Sequence, residues 1–231
     1  MLPFLQLYPA LLCPDGLGGY QSCTREEACT DYESSFIIDW NEEISLKNWT
    51  TELDFVCMSS AKIGIMGTIV FCSIAVGSLL LGGLIDQIGR KKVVFGTVAV
   101  MPIVQVVWLI YPSLITIYIG LFFIGFCYSV RASAGYVFTS ESLLTSQKLP
   151  YCVRQFSTDG MLACTMSILF WVGVMTWRRL VAFNMTCTLY LIYYLTFHLH
   201  ESPQYLYSKE KWSELRSCLC NIAKRNGIQS Y

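Results

Sequence analysis

The sequence predicts an all-α, polytopic membrane protein: one bundle of about six helices, an outer cysteine loop and a cytosolic tail helix. Three observations predict it. Hydrophobic residues make up 54% of the chain, charged residues 14%, and mean hydropathy is +0.49; soluble domains carry about 25% charge. A soluble chain of 231 residues with this composition could not bury enough of itself. Five apolar stretches of near-spanning length follow one another: Ala61–Ile85, Val93–Tyr111, Leu114–Phe138, Gly160–Trp177 and Leu180–Leu199. Between the first two lies a short turn rich in small and charged residues, Gly82 to Lys92.

Residues 1–12 come first. They are apolar but lack the basic start and small-residue cleavage site of a signal peptide. They are too short to span alone, since a span needs about 20 residues. They read as the remnant of a first transmembrane helix whose beginning is missing.

Residues 13–60 are a polar loop holding ten acids and two bases, Arg25 and Lys47. Cys13, Cys23, Cys29 and Cys57 lie in it, and four cysteines allow three pairings that sequence does not separate. Clustered cysteines suit an oxidising, extracytoplasmic compartment. Asn48-Trp49-Thr50 is a glycosylation sequon, with Asn48 the candidate acceptor. A second sequon, Asn184-Met185-Thr186, lies within a span and is discounted.

Residues 61–199 hold the five spans. Arg90, Lys91 and Lys92 fix the first turn on the cytoplasmic side. In that turn Gly82 and Gly83 allow close backbone approach, Asp86 sits where the helix leaves the bilayer, and Gly89 can supply a positive-φ residue. The turn Tyr111-Pro112-Ser113 is uncharged and outside. The 140–158 loop, with Lys148 and Arg154, is inside. Trp177-Arg178-Arg179 falls outside by this count, against the charge rule. Ser73/Gly77 and Ser78/Gly82 are small pairs at helical spacing, expected at close helix contacts.

Residues 200–231 form a cytosolic amphipathic segment. Ser202-Pro203 is a good helix start. Trp212, Leu215, Leu219 and Ile222 recur at helical spacing, and Gly227 is the expected stop.

The chemistry of an enzyme is missing from this pattern. The two histidines, His198 and His200, lie together at the end of the last span. No Ser/His/Asp set is plausible, and no phosphate-binding loop has its lysine. Cys218, Cys220 and the histidines lack the usual zinc spacings. No cofactor, metal or nucleic-acid partner is expected.

Several motifs carry a family resemblance. Gly82 to Lys91 is similar to the signature turn of the major facilitator superfamily. Thr51-Glu52-Leu53-Asp54-Phe55-Val56-Cys57 resembles the motif before the second helix of its solute carrier 22 branch, the organic cation/anion transporters, with Leu53 where tryptophan is usual. Tyr136-Val137-Phe138 followed by Glu141 looks like the end of that branch's fourth helix, and Trp177-Arg178 like its turn before the sixth. Glu201-Ser202-Pro203-Gln204-Tyr205-Leu206 is similar to the stretch after the sixth, where arginine and tryptophan are usual at 204 and 205. Ile222 to Gly227 resembles the close of the next helix. Gln87 replaces a usual arginine in the signature turn. The resemblance runs from about residue 13 to the end. It covers the six-helix N-terminal bundle of a twelve-helix fold, with the first helix truncated.

The resemblance implies a transporter of small organic ions, embedded in a bilayer and working by alternating access against a second six-helix bundle. Asp86 and Arg90 would lock an inner gate with Glu141 and Arg154, supported by Gly82, Gly89 and Lys91. The alternative for these charges is to fix topology only. Arg131 lies within a span, where a cation costs about 2.5–3.5 kcal/mol and must face protein or water. It either attracts an anionic or zwitterionic substrate, or is a structural pair or a solvated position. Tyr128, Ser129 and Tyr136 share its helix and are candidates to line the same cavity. Phe170, Trp171, Tyr190, Tyr193 and Tyr194 read as packing or interface-belt residues. The plasma membrane is the expected location, with an organelle membrane as alternative. The second functional reading is a degenerate half-transporter that serves as a structural subunit or adaptor among other membrane subunits.

Overall fold

The structure is a computed structural model that describes residues 2–16, 18–31, 35–143 and 145–225. The chain opens with a short helix, α1 (Leu2–Leu5). The loop that follows carries strands β1 (Leu11–Pro14), β2 (Tyr20–Cys23) and β3 (Ile37–Ile38) and helices α2 (Arg25–Thr30) and α3 (Trp49–Glu52). The strands form an antiparallel sheet in the order β2-β1-β3. Sequence reading missed this sheet, because strands of two to four residues are too short to show a period. Disulfides hold it instead. Cys13 pairs with Cys23 and Cys29 with Cys57, one of the three pairings the sequence allowed.

The bundle consists of α4 (Ser60–Ile88), α5 (Arg90–Ile110), α6 (Leu114–Ser142), α7 (Thr145–Trp171) and α8 (Trp177–Phe197). Among the described residues, four stretches are long and apolar enough to cross a membrane: Ser60–Leu80, Arg90–Ile110, Leu114–Glu141 and Trp177–Phe197. The fifth expected span, Gly160–Trp177, is not among them. It is the last part of α7, which begins at Thr145 and ends at Trp171. Most of the expected 140–158 loop is helix too, and α7 runs on through Pro150. α7 carries Lys148, Arg154 and Asp159, which dilutes its apolarity.

α4 packs on α6, α6 on α5, and α5 on α8. The α4–α6 contact is reciprocal. A Cβ on Gly125 would strike the hydroxyl of Ser73 and approach Val70 O to 2.7 Å. A Cβ on Gly77 would strike the Ser129 hydroxyl and come within 2.7 Å of Phe126 O. Two serine–glycine pairs at four-residue spacing thus interlock, which draws the backbones together. By contrast, the Cβ position of Gly83 is open, so that glycine makes no close contact.

The main core lies at the outer end, the end opposite the Arg-Lys-Lys turn. Trp49 of the loop meets Trp108 of α5 edge-on at 5.3 Å. Trp49, Phe170 and Trp177 are fully buried there together with Leu121 and Leu180. This core joins the loop to the bundle. α7 shares in it through Met166 and Phe170, the latter stacked on Phe4 at 5.6 Å. Residues 146–151 and 153–165 of α7 are exposed. A smaller core of Ile85, Val130 and Ala134 lies toward the inner end.

Beyond α8 come α9 (Pro203–Ser208) and α10 (Trp212–Arg225). Ser202 caps α9 and Pro203 stands in its first turn, as the sequence predicts. The expected stop at Gly227 lies outside the described residues.

Candidate functional site

Among the described residues, charged or polar groups gather at the inner helix ends and in a cavity within the bundle. At the inner end, a single residue separates α4 from α5. Gly89 takes φ +110° there, a conformation that glycine adopts without strain. A Cβ at Gly89 would sit 2.8 Å from Glu201 Oε2 and 3.2 Å from Tyr205 Cε1. Space and backbone angle therefore both require glycine.

Glu201 uses this gap. Its Oε1 accepts from the backbone N–H of Lys91 at 2.9 Å. A carboxylate here satisfies an orphan donor at the α5 N-terminus and faces the positive end of the helix dipole. The Lys91 ammonium donates to Leu199 O at 2.5 Å. Arg90 donates to Glu141 Oε1 at 2.8 Å, and the Ser202 hydroxyl donates to Glu141 Oε2. The Arg90 guanidinium lies 5.3 Å from the Tyr205 ring centroid, and Tyr205 OH donates to Gln87 O at 3.2 Å. One clasp therefore ties α4, α5 and α6 to the segment after α8.

Of the residues expected in this clasp, Gly89, Arg90, Lys91 and Glu141 come together. Arg154 does not join them: it stands exposed on α7, which is anchored mainly at the far end. The side chain of Asp86 and the surroundings of Gly82 lie outside the described residues. Sequence reading missed Glu201 and Ser202 as partners of the turn. Their signal was present as a helix-capping Ser-Pro preceded by an acid, but its target is far away in the chain.

The second place is a cavity of about 300 Å³ lined by Arg131, Gln105 and Asn184, with Trp49, Trp108 and Leu180 among its apolar walls. Gln105 Nε2 donates to Asn184 Oδ1 at 2.6 Å. Gln105 Oε1 is buried without a hydrogen-bond partner. An unpaired buried acceptor costs about 1–3 kcal/mol, so this atom is poised to accept from a guest. The Arg131 guanidinium lies 5.9 Å from the Tyr128 ring centroid.

Tyr128 and Tyr136 are each 49% exposed, and neither lines this cavity. Tyr136 stands instead beside Cys152, between α6 and α7. Ser129 is a correction to the cavity reading. It is buried in the α4–α6 contact against Gly77 and donates to Phe126 O at 3.0 Å. Phe170 is core, while Trp171, Tyr190, Tyr193 and Tyr194 are exposed on the helix surfaces. Cys218 is buried under Glu201 O and Cys220 is exposed, so the two thiols face different surroundings.

The outer loop corrects one expectation and explains another. Asn48 is fully buried, and its amide nitrogen donates to Phe4 O at 2.9 Å and Leu7 O at 2.8 Å. Its Oδ1 accepts from Thr51 N at 3.1 Å. The residue is a helix cap and a strut, with no room for a glycan. The Trp177-Arg178-Arg179 turn breaks the charge rule because the loop supplies its partners. Glu52 Oε2 accepts from the Trp177 indole at 2.8 Å and from Arg178 Nε at 3.2 Å. Arg179 donates to Val174 O at 2.6 Å.

Residues 35–149 match the model of the Major Facilitator Superfamily. The chain belongs to that superfamily. Its resemblance is to the solute carrier 22 branch within it. The chain is 27% identical over 192 residues to organic cation transporter 1 of Caenorhabditis elegans, covering 82% of this chain and 32% of that protein. It is 24% identical over 196 residues to solute carrier family 22 member 4 of Mus musculus, covering 82% and 34%. Organic cation/carnitine transporter 2 of Rattus norvegicus is 24% identical over 190 residues, with the same coverage of 82% and 34%. The chain spans about a third of the length of these curated relatives. It is an all-α, multi-pass membrane protein of the major facilitator type.

Proposed function

We propose that the chain works in moving small organic ions across a membrane by alternating access. Its bundle would rock against a second six-helix bundle, with the plasma membrane as its location and no enzymatic step. The observation that carries this reading is the bundle cavity, whose lining holds both Arg131 and the unpaired Gln105 Oε1. A guest with an anionic group and a hydrogen-bond donor would satisfy both, so an organic anion or zwitterion is the favoured substrate class. The names of the relatives, which include organic cation and carnitine transporters, support an organic ion in general.

The inner clasp suits the same reading. An alternating-access machine needs contacts made in one state and broken in another. Arg90, Glu141 and Ser202 would fasten the inner ends in one of them. Uptake of labelled organic ions into vesicles tests the proposal. Arg131→Ala is expected to lower uptake of anionic and zwitterionic substrates at least tenfold. Unchanged uptake removes Arg131 from the substrate path.

A second reading, a non-transporting structural subunit, draws on α7, whose exposed length suits lateral packing against other membrane helices. Co-purification with unrelated membrane subunits, together with no uptake, would favour it.

A further inference from the structure

A recess of about 660 Å³ opens between the start of α5, the end of α8 and the α9–α10 segment. It borders the clasp, sharing Lys91, Glu201 and Tyr205 with it, and has no residue in common with the Arg131 cavity. Lys91, Lys92 and Lys211 line it, with Ile88, Phe95 and Phe197 as apolar wall. Two carboxylates also face it, and both are engaged. Glu201 accepts from Lys91 N at 2.9 Å, and Glu214 accepts from Lys211 Nζ at 2.8 Å. His200 lies at the rim within 3.2 Å of the Asn221 amide. Lys92 is exposed.

We propose that this recess holds the phosphate headgroup of an anionic phospholipid of the inner leaflet. Three features point there. Lysines outnumber carboxylates in the lining, and the exposed ammonium of Lys92 gives an anion a direct partner. The depth is right: Lys92 is near the start of the span Arg90–Ile110, and Phe197 ends the span Trp177–Phe197. The recess therefore opens at the level of lipid headgroups. Its apolar wall is uncovered as well, with Phe95 38%, Ile88 46% and Phe197 69% exposed. A free phosphate has no use for that wall, whereas an acyl chain would lie along it. Basic pockets between spanning helices on the cytoplasmic side are a general mode of headgroup binding. The proposal does not depend on what the protein transports.

The full chain, purified in detergent, tests this with a fluorescent short-chain phosphatidic acid as probe. Dioctanoyl phosphatidylserine, dioctanoyl phosphatidylcholine and inorganic phosphate serve as competitors. Phosphatidylserine is expected to displace the probe; phosphatidylcholine and inorganic phosphate are expected to fail. Lys92→Glu should weaken probe binding by at least about fivefold, the effect of losing one lysine–lipid interaction, since the new carboxylate also repels the headgroup. Lys92→Arg should retain binding, which separates loss of charge from loss of fold. Lys148→Glu, at an exposed lysine on α7, should leave binding unchanged. Equal binding by wild type and Lys92→Glu would overturn the proposal. So would displacement by phosphatidylcholine at equal concentration. Displacement by inorganic phosphate at the same concentration as the lipid would reassign the recess to a soluble anion.

Discussion

Arg90 donates to Glu141 across 2.8 Å although 51 residues separate them, and the two side chains are only 10% and 9% exposed. Removing one partner from a buried pair is strongly destabilising, at a cost of about 3–5 kcal/mol. Glu141→Ala is expected to lower the unfolding temperature in detergent markedly. The Arg90→Ala/Glu141→Ala double variant should lose less than the two single losses combined. Strictly additive losses would show the pair to be uncoupled.

Two glycines on the same helix should respond oppositely. Gly125 faces Ser73 and Val70 O, whereas a Cβ at Gly135 meets nothing within 4 Å. Gly125→Ala is expected to destabilise by about 1–3 kcal/mol, the usual range for overpacking. Gly135→Ala should be neutral or gain up to about 1 kcal/mol from its better helix propensity. Thermal or denaturant unfolding of the pair checks this.

Asn48 should carry no sugar. Endoglycosidase treatment of the protein from a glycosylating host is expected to leave the mass at this site unchanged. Asn48→Ala would strand Phe4 O and Leu7 O, which now accept from its amide, at about 1–3 kcal/mol for a buried unsatisfied group. A mass shift at this site would contradict the packing of the outer core.

The two disulfides should differ in weight. Cys29–Cys57 closes a sequence separation of 28 residues and Cys13–Cys23 one of 10. Loop-closure entropy assigns about 3.6 kcal/mol to the longer and about 2.7 kcal/mol to the shorter. Replacing both cysteines of each pair with serine and comparing denaturation midpoints measures the difference.

Burial, with a smaller contribution from the Glu201 carboxylate, holds the Cys218 thiol above its ordinary range. A raised thiol pKa means less thiolate in the folded state. Its stabilising contribution is present below the unfolded value and is lost as pH rises through the folded one. At pH 8, maleimide should label the exposed Cys220 well before Cys218, and labelling of Cys218 should accelerate as pH climbs. Mass mapping of the two sites over time reads this directly.

Four of the five expected spans were legible because a helix crossing lipid must be apolar over its length; α7 was not, because its helix starts well before its apolar stretch. The turn at Gly89 was legible for a similar reason, since one residue between two spans has few options. Glu201, Ser202 and Glu52 were not. Each acts on a partner remote in the chain, with 110 residues between Glu201 and Lys91 and 125 between Glu52 and Trp177, and periodicity carries no information about such distances. Asn48 misled because a sequon records only three neighbouring residues. Its burial depends on Phe4 and Leu7, more than 40 positions earlier. Ser129 misled because a hydroxyl near a cation reads as polar lining, when here it fills the notch left by Gly77.

The bond from Trp177 N to Lys47 O, at 3.2 Å, has a consequence for how the molecule is made. Synthesis runs from the amino end, so the loop emerges and waits while four helices are threaded behind it. Its last lock exists only once α8 has been delivered. Until then Glu52 has neither Trp177 nor Arg178 to hold, and the apolar flank of Trp49 lacks its neighbours. The nascent cap is thus vulnerable until residue 177 has been made, and a chain stalled before that point should be the one that quality-control proteases take.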